Sequence, residues 1–222
     1  MPKDYGQFCP VAHALELVGE RWSLLIIREL INGPKRYTDL AAALPGIGTN
    51  ILAARLRDLE GADVVHKRQL PPPAAAKVYE LTPYGEGLRE PLYALARWGA
   101  RSLSPPREDQ VFARGWLVNA VRASCTGGCV PDTVFALRVD DEAVTARFED
   151  DELVVEPGTA DDADVVVETD PSTLFCIASG QTPIADAIKE QAVKITGNRK
   201  DAERFLSLFS FDEPKSRAVE HV

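Results

Sequence analysis

Apolar residues recur at three- and four-residue spacing from Val11 to Ile31 (Val11, Leu15, Val18, Trp22, Leu25, Ile26, Leu30), which is the period of an amphipathic helix. Gly19 predicts a division into two helices. Asn32-Gly33-Pro34 ends the second, because Gly reaches left-handed backbone and Pro cannot continue the hydrogen-bond ladder. A short helix is predicted from about Arg36 to Leu44, then a turn at Pro45-Gly46. A third periodic segment runs from Ile47 through Ile51, Leu52, Leu56 and Leu59 to a stop at Gly61. Val64–Arg68 and Lys77–Leu81 read as two short strands of a hairpin whose tip carries Pro71-Pro72-Pro73 and three alanines. Thr82-Pro83 predicts the start of a long helix, Thr as N-cap and Pro at the first position, with Leu88, Leu92, Leu95 and Trp98 on one stripe. Ser104-Pro105-Pro106 marks a domain boundary.

Beyond the boundary, Glu108 to Ala123 reads as helix. Strand-like runs follow at Thr133–Val139, Ala143–Phe148, Leu153–Glu156 and Asp164–Thr169, with Asp140-Asp141 and Asp150-Asp151 placed for tight turns. Helical patterns return at Pro171–Ala178 and Pro183–Glu190, followed by a short strand at Val193–Thr196 and a last helix to about Leu208. The predicted fold class is α+β. A winged helix-turn-helix domain over residues 1–103 precedes a second α+β domain over 107–212, its mainly antiparallel sheet covered by helices.

Charge sharpens this division. The net charge of −9 looks wrong for a nucleic-acid binder, but residues 1–103 carry 13 Lys and Arg against 11 Asp and Glu, or +2, whereas residues 104–222 carry 12 against 23, or −11. A near-neutral domain can hold phosphates if its cations share a face, and an anionic domain is pushed away from DNA. No apolar run approaches the roughly 20 residues that cross a bilayer. The N-terminus lacks a secretory pattern, and four cysteines do not suggest a disulfide scaffold, so a reducing cytoplasm is expected.

A helix of this length fits the major groove, with residues near its N-terminus reaching base edges. Thr49 and Asn50 are the expected base readers, with Ala53 and Arg57 beside them. Arg55 is placed for a phosphate or for the helix's own packing. Arg36 and Tyr37, at the start of the preceding helix, are candidates for holding a phosphate, and Lys67, Arg68 and Lys77 form a basic strip on the hairpin.

These residues also carry a resemblance. Cys9-Pro10-Val11, the run from Leu15 to Gly19 with Arg21-Trp22, Leu24-Leu25-Ile26, Gly33, the run from Arg36 to Leu40, Leu44-Pro45-Gly46-Ile47, and Leu52 to Leu59 resemble the HxlR group of bacterial winged-helix regulators over residues 8–101. The resemblance implies a homodimer with one recognition helix per half-site of a palindromic operator in double-stranded DNA. The first helix and the stripe from Leu88 to Trp98 would form its interface. It also implies that Cys9 is a candidate thiol sensor, since a cysteine beside a helix start can react with oxidants or electrophiles. The alternative for Cys9 is a small apolar residue under the first helix. Two departures stand out: Gly48 replaces the usual helix-starting hydroxyl residue, and the wing tip is rich in Pro and Ala.

Residues 107–210 show no paired catalytic carboxylates with supporting groups, no nucleotide loop and no Ser/His/Asp set. No histidine lies between His66 and His221, so an enzyme is not expected, nor any cofactor. Cys125 and Cys129 lack further ligands at metal spacing, and two free thiols are the expectation; Cys176 reads as core. The order of elements, with Val193 to Asn198 leading into a final helix, is similar to a sterol-carrier-protein-like domain over 108–210. That resemblance implies a lipophilic tunnel, with Phe112, Trp116, Phe135, Leu174, Phe175, Ile188 and Phe205 as candidate lining residues, unless they simply form a packed core. The combined expectation is a homodimeric repressor whose second domain binds a small apolar effector or stabilises the dimer. The alternative is a lipid carrier whose helical half only dimerises.

Overall fold

The computed structural model describes residues 4–73, 75–103, 110, 112–113 and 115–211. The chain forms two compact units that meet in sequence at Leu92 and Tyr93.

In the first unit, α1 (Pro10–Val18) and α2 (Ser23–Leu30) are separated at Gly19, as the pattern predicts. Trp22 caps α2 in left-handed backbone, φ 83°, a strain that a non-glycine residue sustains only where its surroundings hold it. Here the indole packs against the helical core. Next come α3 (Tyr37–Ala43), α4 (Thr49–Gly61), β1 (Val65–Gln69) and β2 (Lys77–Leu81). The core is Ile26, Ile27, Leu30, Leu40, Leu44, Leu52, Leu56, Leu59, Val64 and Val65, all essentially closed to solvent.

The long helix predicted from Thr82 is two helices, α5 (Pro83–Glu86) and α6 (Arg89–Ala100). Thr82 is the N-cap as expected, accepting from the Gly85 N–H at 3.0 Å. The break falls at Gly87-Leu88, between the two helices. Gly85 lies against the Val64 carbonyl, and a Cβ there would sit 2.1 Å from its oxygen, so the wing presses on the helix start where only glycine fits. The expected single stripe therefore has two fates. Leu88 and Leu92 pack on the first unit's core, whereas Leu95 and Trp98 remain exposed.

The unit boundary falls within α6, upstream of the proline-rich segment, which lies largely outside the described residues. Tyr93 is buried in the second unit, its hydroxyl 3.1 Å from Asn119 Oδ1, and Arg97 donates to the Ala123 carbonyl at 3.0 Å. Both partners lie on α7 (Trp116–Ser124). The helix predicted from Glu108 begins only at Trp116, since the described residues before it, Gln110, Phe112, Ala113 and Gly115, are not helical. Gly115 takes φ 91° just before it, and the Glu142 carboxylate accepts from the Gly115 and Leu117 amides at its start. Residues 104–109, 111 and 114 lie outside the described residues.

The second unit continues with β3 (Phe135–Val139), β4 (Glu142–Glu149), β5 (Glu152–Pro157), β6 (Val165–Thr169), α8 (Pro171–Ala178), α9 (Ile184–Lys189), β7 (Lys194–Thr196) and α10 (Arg199–Leu206). The sheet order is β5-β4-β3-β6-β7. It is mainly antiparallel, as expected, with one exception: β3 and β6 run parallel, Phe135 opposite Val165. A local pattern cannot show that pairing, because it depends on which earlier strand the returning chain meets. Alternate residues of the strands (Phe135, Leu137, Val144, Ala146, Val155, Val165, Val167) join Leu117, Val121, Ile177, Ala187, Phe205 and Leu206 from the helices in one core.

Candidate nucleic-acid interface

Leu52, Leu56 and Leu59 of α4 repeat at helical spacing and are closed off in the core, which turns Thr49, Asn50 and Arg57 outward and leaves Ala53 half-buried. Ile51, read as a core position, is instead 45% exposed beside Asn50. The three leucines already fill the inward stripe, and position 51 falls off it. Gly48 supplies no side-chain cap, so the first amides of α4 have no side-chain partner at the N-cap.

The start of α4 is held from α3. The Tyr37 hydroxyl donates to the Thr49 carbonyl at 2.8 Å, so Tyr37 positions the helix rather than offering its hydroxyl to a phosphate. Arg36 donates its backbone N–H to Asp39 Oδ2 at 3.0 Å. Arg55, open to two readings in sequence, turns to protein: it is ion-paired with Asp58, one turn on, and with Glu20 at 3.5 Å. It ties α4 to the segment between α1 and α2, in keeping with the packing alternative.

The hairpin differs from a simple basic strip. Arg68 makes a two-pronged pair with Glu80, Nε to Oε1 at 2.6 Å and Nη2 to Oε2 at 2.7 Å. Lys67 lies 3.4 Å from Glu60 Oε2 and stacks over the Tyr79 ring. A count of cations does not show these partners, one on the facing strand and one on α4. Among the described residues, Arg36, Arg57 and Lys77 have no ion pair. The sheet also has a third member unseen in sequence: Lys35 bridges Tyr79 through both backbone hydrogen bonds, 3.0 and 2.8 Å. Its side chain reaches the buried Glu29 carboxylate at 3.4 Å, which Arg28 also holds at 2.8 Å. A buried charge is tolerated only when paired in this way.

In the second unit the seven expected cavity residues separate. Phe135 and Phe205 are fully buried and stack on each other, centroids 4.2 Å apart and planes 6° from parallel, with Phe209 edge-on to Phe205 at 4.9 Å. These two are core, not tunnel wall, because their ring faces are already in contact. Leu174 and Ile188 are half-buried against the same core, and the half-buried Phe175 ring meets Phe211 at 5.6 Å. Phe112 is exposed and edge-on to Trp116. A groove of about 410 Å³ lies elsewhere, lined by Val134, Thr145, Arg147, Glu156 and residues 157–160 and 162, and it shares none of the seven.

The four cysteines are free thiols. Cys9 is half-buried at the N-cap of α1, and burial pushes the Cys125 thiol up from its ordinary pKa. Among the described residues, no group of three or more His, Cys, Asp or Glu is placed to hold a metal, and no helix is long and apolar enough to cross a membrane.

Two helices joined by a tight turn, the second with an outward polar face, and a hairpin wing behind them define a winged helix-turn-helix regulator. Residues 17–107 match the family described as HxlR-like helix-turn-helix, and residues 129–219 match the one described as alkyl sulfatase C-terminal. The chain is 35% identical over 97 residues to the HTH-type transcriptional regulator sll1512 of Synechocystis, covering 44% of this chain and 72% of that protein. It is 34% identical over 98 residues to the HTH-type transcriptional regulator YodB of Bacillus subtilis, covering 44% of this chain and 88% of that protein. The solved reduced form of YodB is 32% identical, covers 46% of this chain and 100% of that one, and has a TM-score of 0.39. The chain belongs to the HxlR-like family of DNA-binding transcriptional regulators.

Proposed function

We propose that the protein is a homodimeric repressor that lays one α4 into the major groove at each half-site of a palindromic operator. The observation that carries this is the outward strip of α4, with Thr49, Asn50, Ile51 and Arg57 exposed while Arg36 and Lys77 stand without ion pairs among the described residues. Asn50 has the amide that can pair with adenine in the major groove, and Ile51 offers an apolar contact to a thymine methyl. Arg36, Arg57 and Lys77 serve phosphates. Exposed apolar side chains favour a second copy as partner: Phe8, Val11 and Leu15 in the first unit, and Leu95 and Trp98 in the second.

The second unit serves as receiver of a small apolar effector or as dimer support. Half-buried Leu174, Phe175 and Ile188 are the residues through which such an effector would enter a sterol-carrier-like domain, the reading tested against the alkyl sulfatase C-terminal match of residues 129–219. Cys9 is the second candidate input, as a thiol sensor.

The test is a gel shift with DNA from upstream of the protein's own gene, titrated with salt. Salt-sensitive binding of an operator-sized duplex supports the reading, and binding indifferent to salt, or none, favours a carrier. For the second unit, displacement of an environment-sensitive apolar dye by fatty acids, lost in Ile188→Asp, is the expected result. If Cys9→Ser leaves DNA release by diamide unchanged, Cys9 is structural.

A further inference from the structure

The wing carries His66, Lys67 and Arg68 on β1, yet it does not leave them open. His66 stands opposite Glu80 in the β1–β2 register, and Arg68 lies two residues on, on the same face. Glu80 Oε1 is 2.8 Å from His66 Nε2, and both Glu80 oxygens are engaged by the Arg68 fork at 2.6 and 2.7 Å. This two-pronged geometry is the one by which a guanidinium grips a phosphate. The Arg68 guanidinium holds the Glu80 carboxyl below the usual carboxylate range, so Glu80 carries its negative charge at neutral pH.

We infer that Glu80 is an internal phosphate surrogate, which occupies Arg68 and His66 and so restrains the wing from indiscriminate binding to the DNA backbone. The inference rests on the DNA-binding reading above. For Arg68 to take a phosphate, the phosphate must displace Glu80, and the displaced carboxylate then faces a polyanion. Both effects oppose the exchange. It becomes favourable only where α4 is already seated in its groove and holds the backbone against the wing. A cation already paired inside the protein releases no counterion when DNA arrives, so the wing adds little to non-specific affinity. Glu80 thereby sets the ratio of specific to non-specific binding. Lys77, on the same hairpin without an ion pair, is free of this restraint.

The experiment compares full-length wild type, Glu80→Gln, Arg68→Ala and the double variant on two duplexes, a random 20-base-pair sequence and the operator fragment, across a salt series. Glu80→Gln keeps the side chain's shape and removes its charge; Glu80→Ala is the second variant, and thermal unfolding confirms that each folds. One freed cation steepens the salt dependence by about 0.9 in log–log slope and raises random-duplex affinity about fivefold near 0.1 M salt. Operator affinity should rise less. Arg68→Ala alone should barely alter random-duplex binding, and in the double variant the gain should vanish. Unchanged or weaker random-duplex binding by both folded Glu80 variants overturns the inference, as does a gain that survives Arg68→Ala. Failure of the underlying reading is distinct: wild type itself then binds neither duplex.

Discussion

The outward face near α4 and the outer face of the second unit's sheet treat their arginines differently. Around α4, Arg36 and Arg57 stand without ion pairs among the described residues. On the sheet face turned away from the second unit's core, Arg138 is 3.0 Å from Glu168, and Arg147 is held by Glu149 at 2.7 Å and Glu156 at 2.5 Å. The difference lies in how many cations stay available, not in their number. The two halves have 13 and 12 Lys and Arg, nearly equal. The second answers them with nearly twice as many acids, several in direct contact, so its charge is spent internally and its surface repels phosphate. The wing lies between these cases, with one cation without an ion pair, Lys77, and two paired.

The largest effect is expected at the Phe135–Phe205 stack. Phe205→Ala removes a fully buried ring and should destabilise the second unit by about 3–5 kcal/mol, read as a shift in denaturant unfolding followed by circular dichroism. A small shift would mean that the site collapses readily, as a tunnel lining would.

Next in size, Asn50→Ala or Arg57→Ala should cost about 1–3 kcal/mol of operator binding, roughly ten- to a hundredfold, Asn50 chiefly by relaxing sequence preference. Arg147→Ala should leave operator affinity unaltered. Equal losses from Arg57→Ala and Arg147→Ala in a gel shift would erase the distinction between the units.

A smaller effect is expected at Asp170, the N-cap of α8, whose carboxylate accepts from the Thr173 N–H at 2.9 Å and the Thr173 hydroxyl at 2.6 Å. Asp170→Ala should cost about 1 kcal/mol in thermal unfolding. Partial burial pushes this carboxyl up, but the hydrogen bonds from Thr173 and Ser172 more than reverse it, leaving it below its ordinary value. A carboxyl lowered by folding stabilises above its unfolded value, and that contribution fades as pH falls through the folded one. Asp170→Asn should therefore lose stability at neutral pH and little in strong acid. The smallest effect is at Gly48. A Cβ there meets nothing nearer than Ile51 Cγ1 at 3.9 Å, so Gly48→Ser should supply the missing cap of α4 and stabilise the first unit by a few tenths of a kcal/mol.

Most elements were legible in the sequence because their signals are local. Leu52, Leu56 and Leu59 mark a helix face, Thr82-Pro83 marks a helix start, and paired aspartates mark turns, each within one turn of chain. The outward orientation of Thr49, Asn50 and Arg57 was legible because it depends on the same face. It was not legible where a side chain chose a distant partner. Arg55 looks like any exposed arginine until Glu20 is beside it, and Arg68 looks free until Glu80 stands across the hairpin. The exposed Ile51 carried one signal that could have been used: it falls outside the Leu52–Leu56–Leu59 stripe.

The sequence by itself thus determined the order of helices and strands, the outward face of the recognition helix and the unequal charge of the two halves. These follow from periodicity, turn chemistry and composition. Only the tertiary structure decided which cations stay available, that Gly85 lies against the Val64 carbonyl, that Phe135 and Phe205 close on each other, and that β3 pairs with β6 in parallel. Each of those depends on atoms far apart in the chain, brought within a few ångströms by packing, and no local pattern carries that distance.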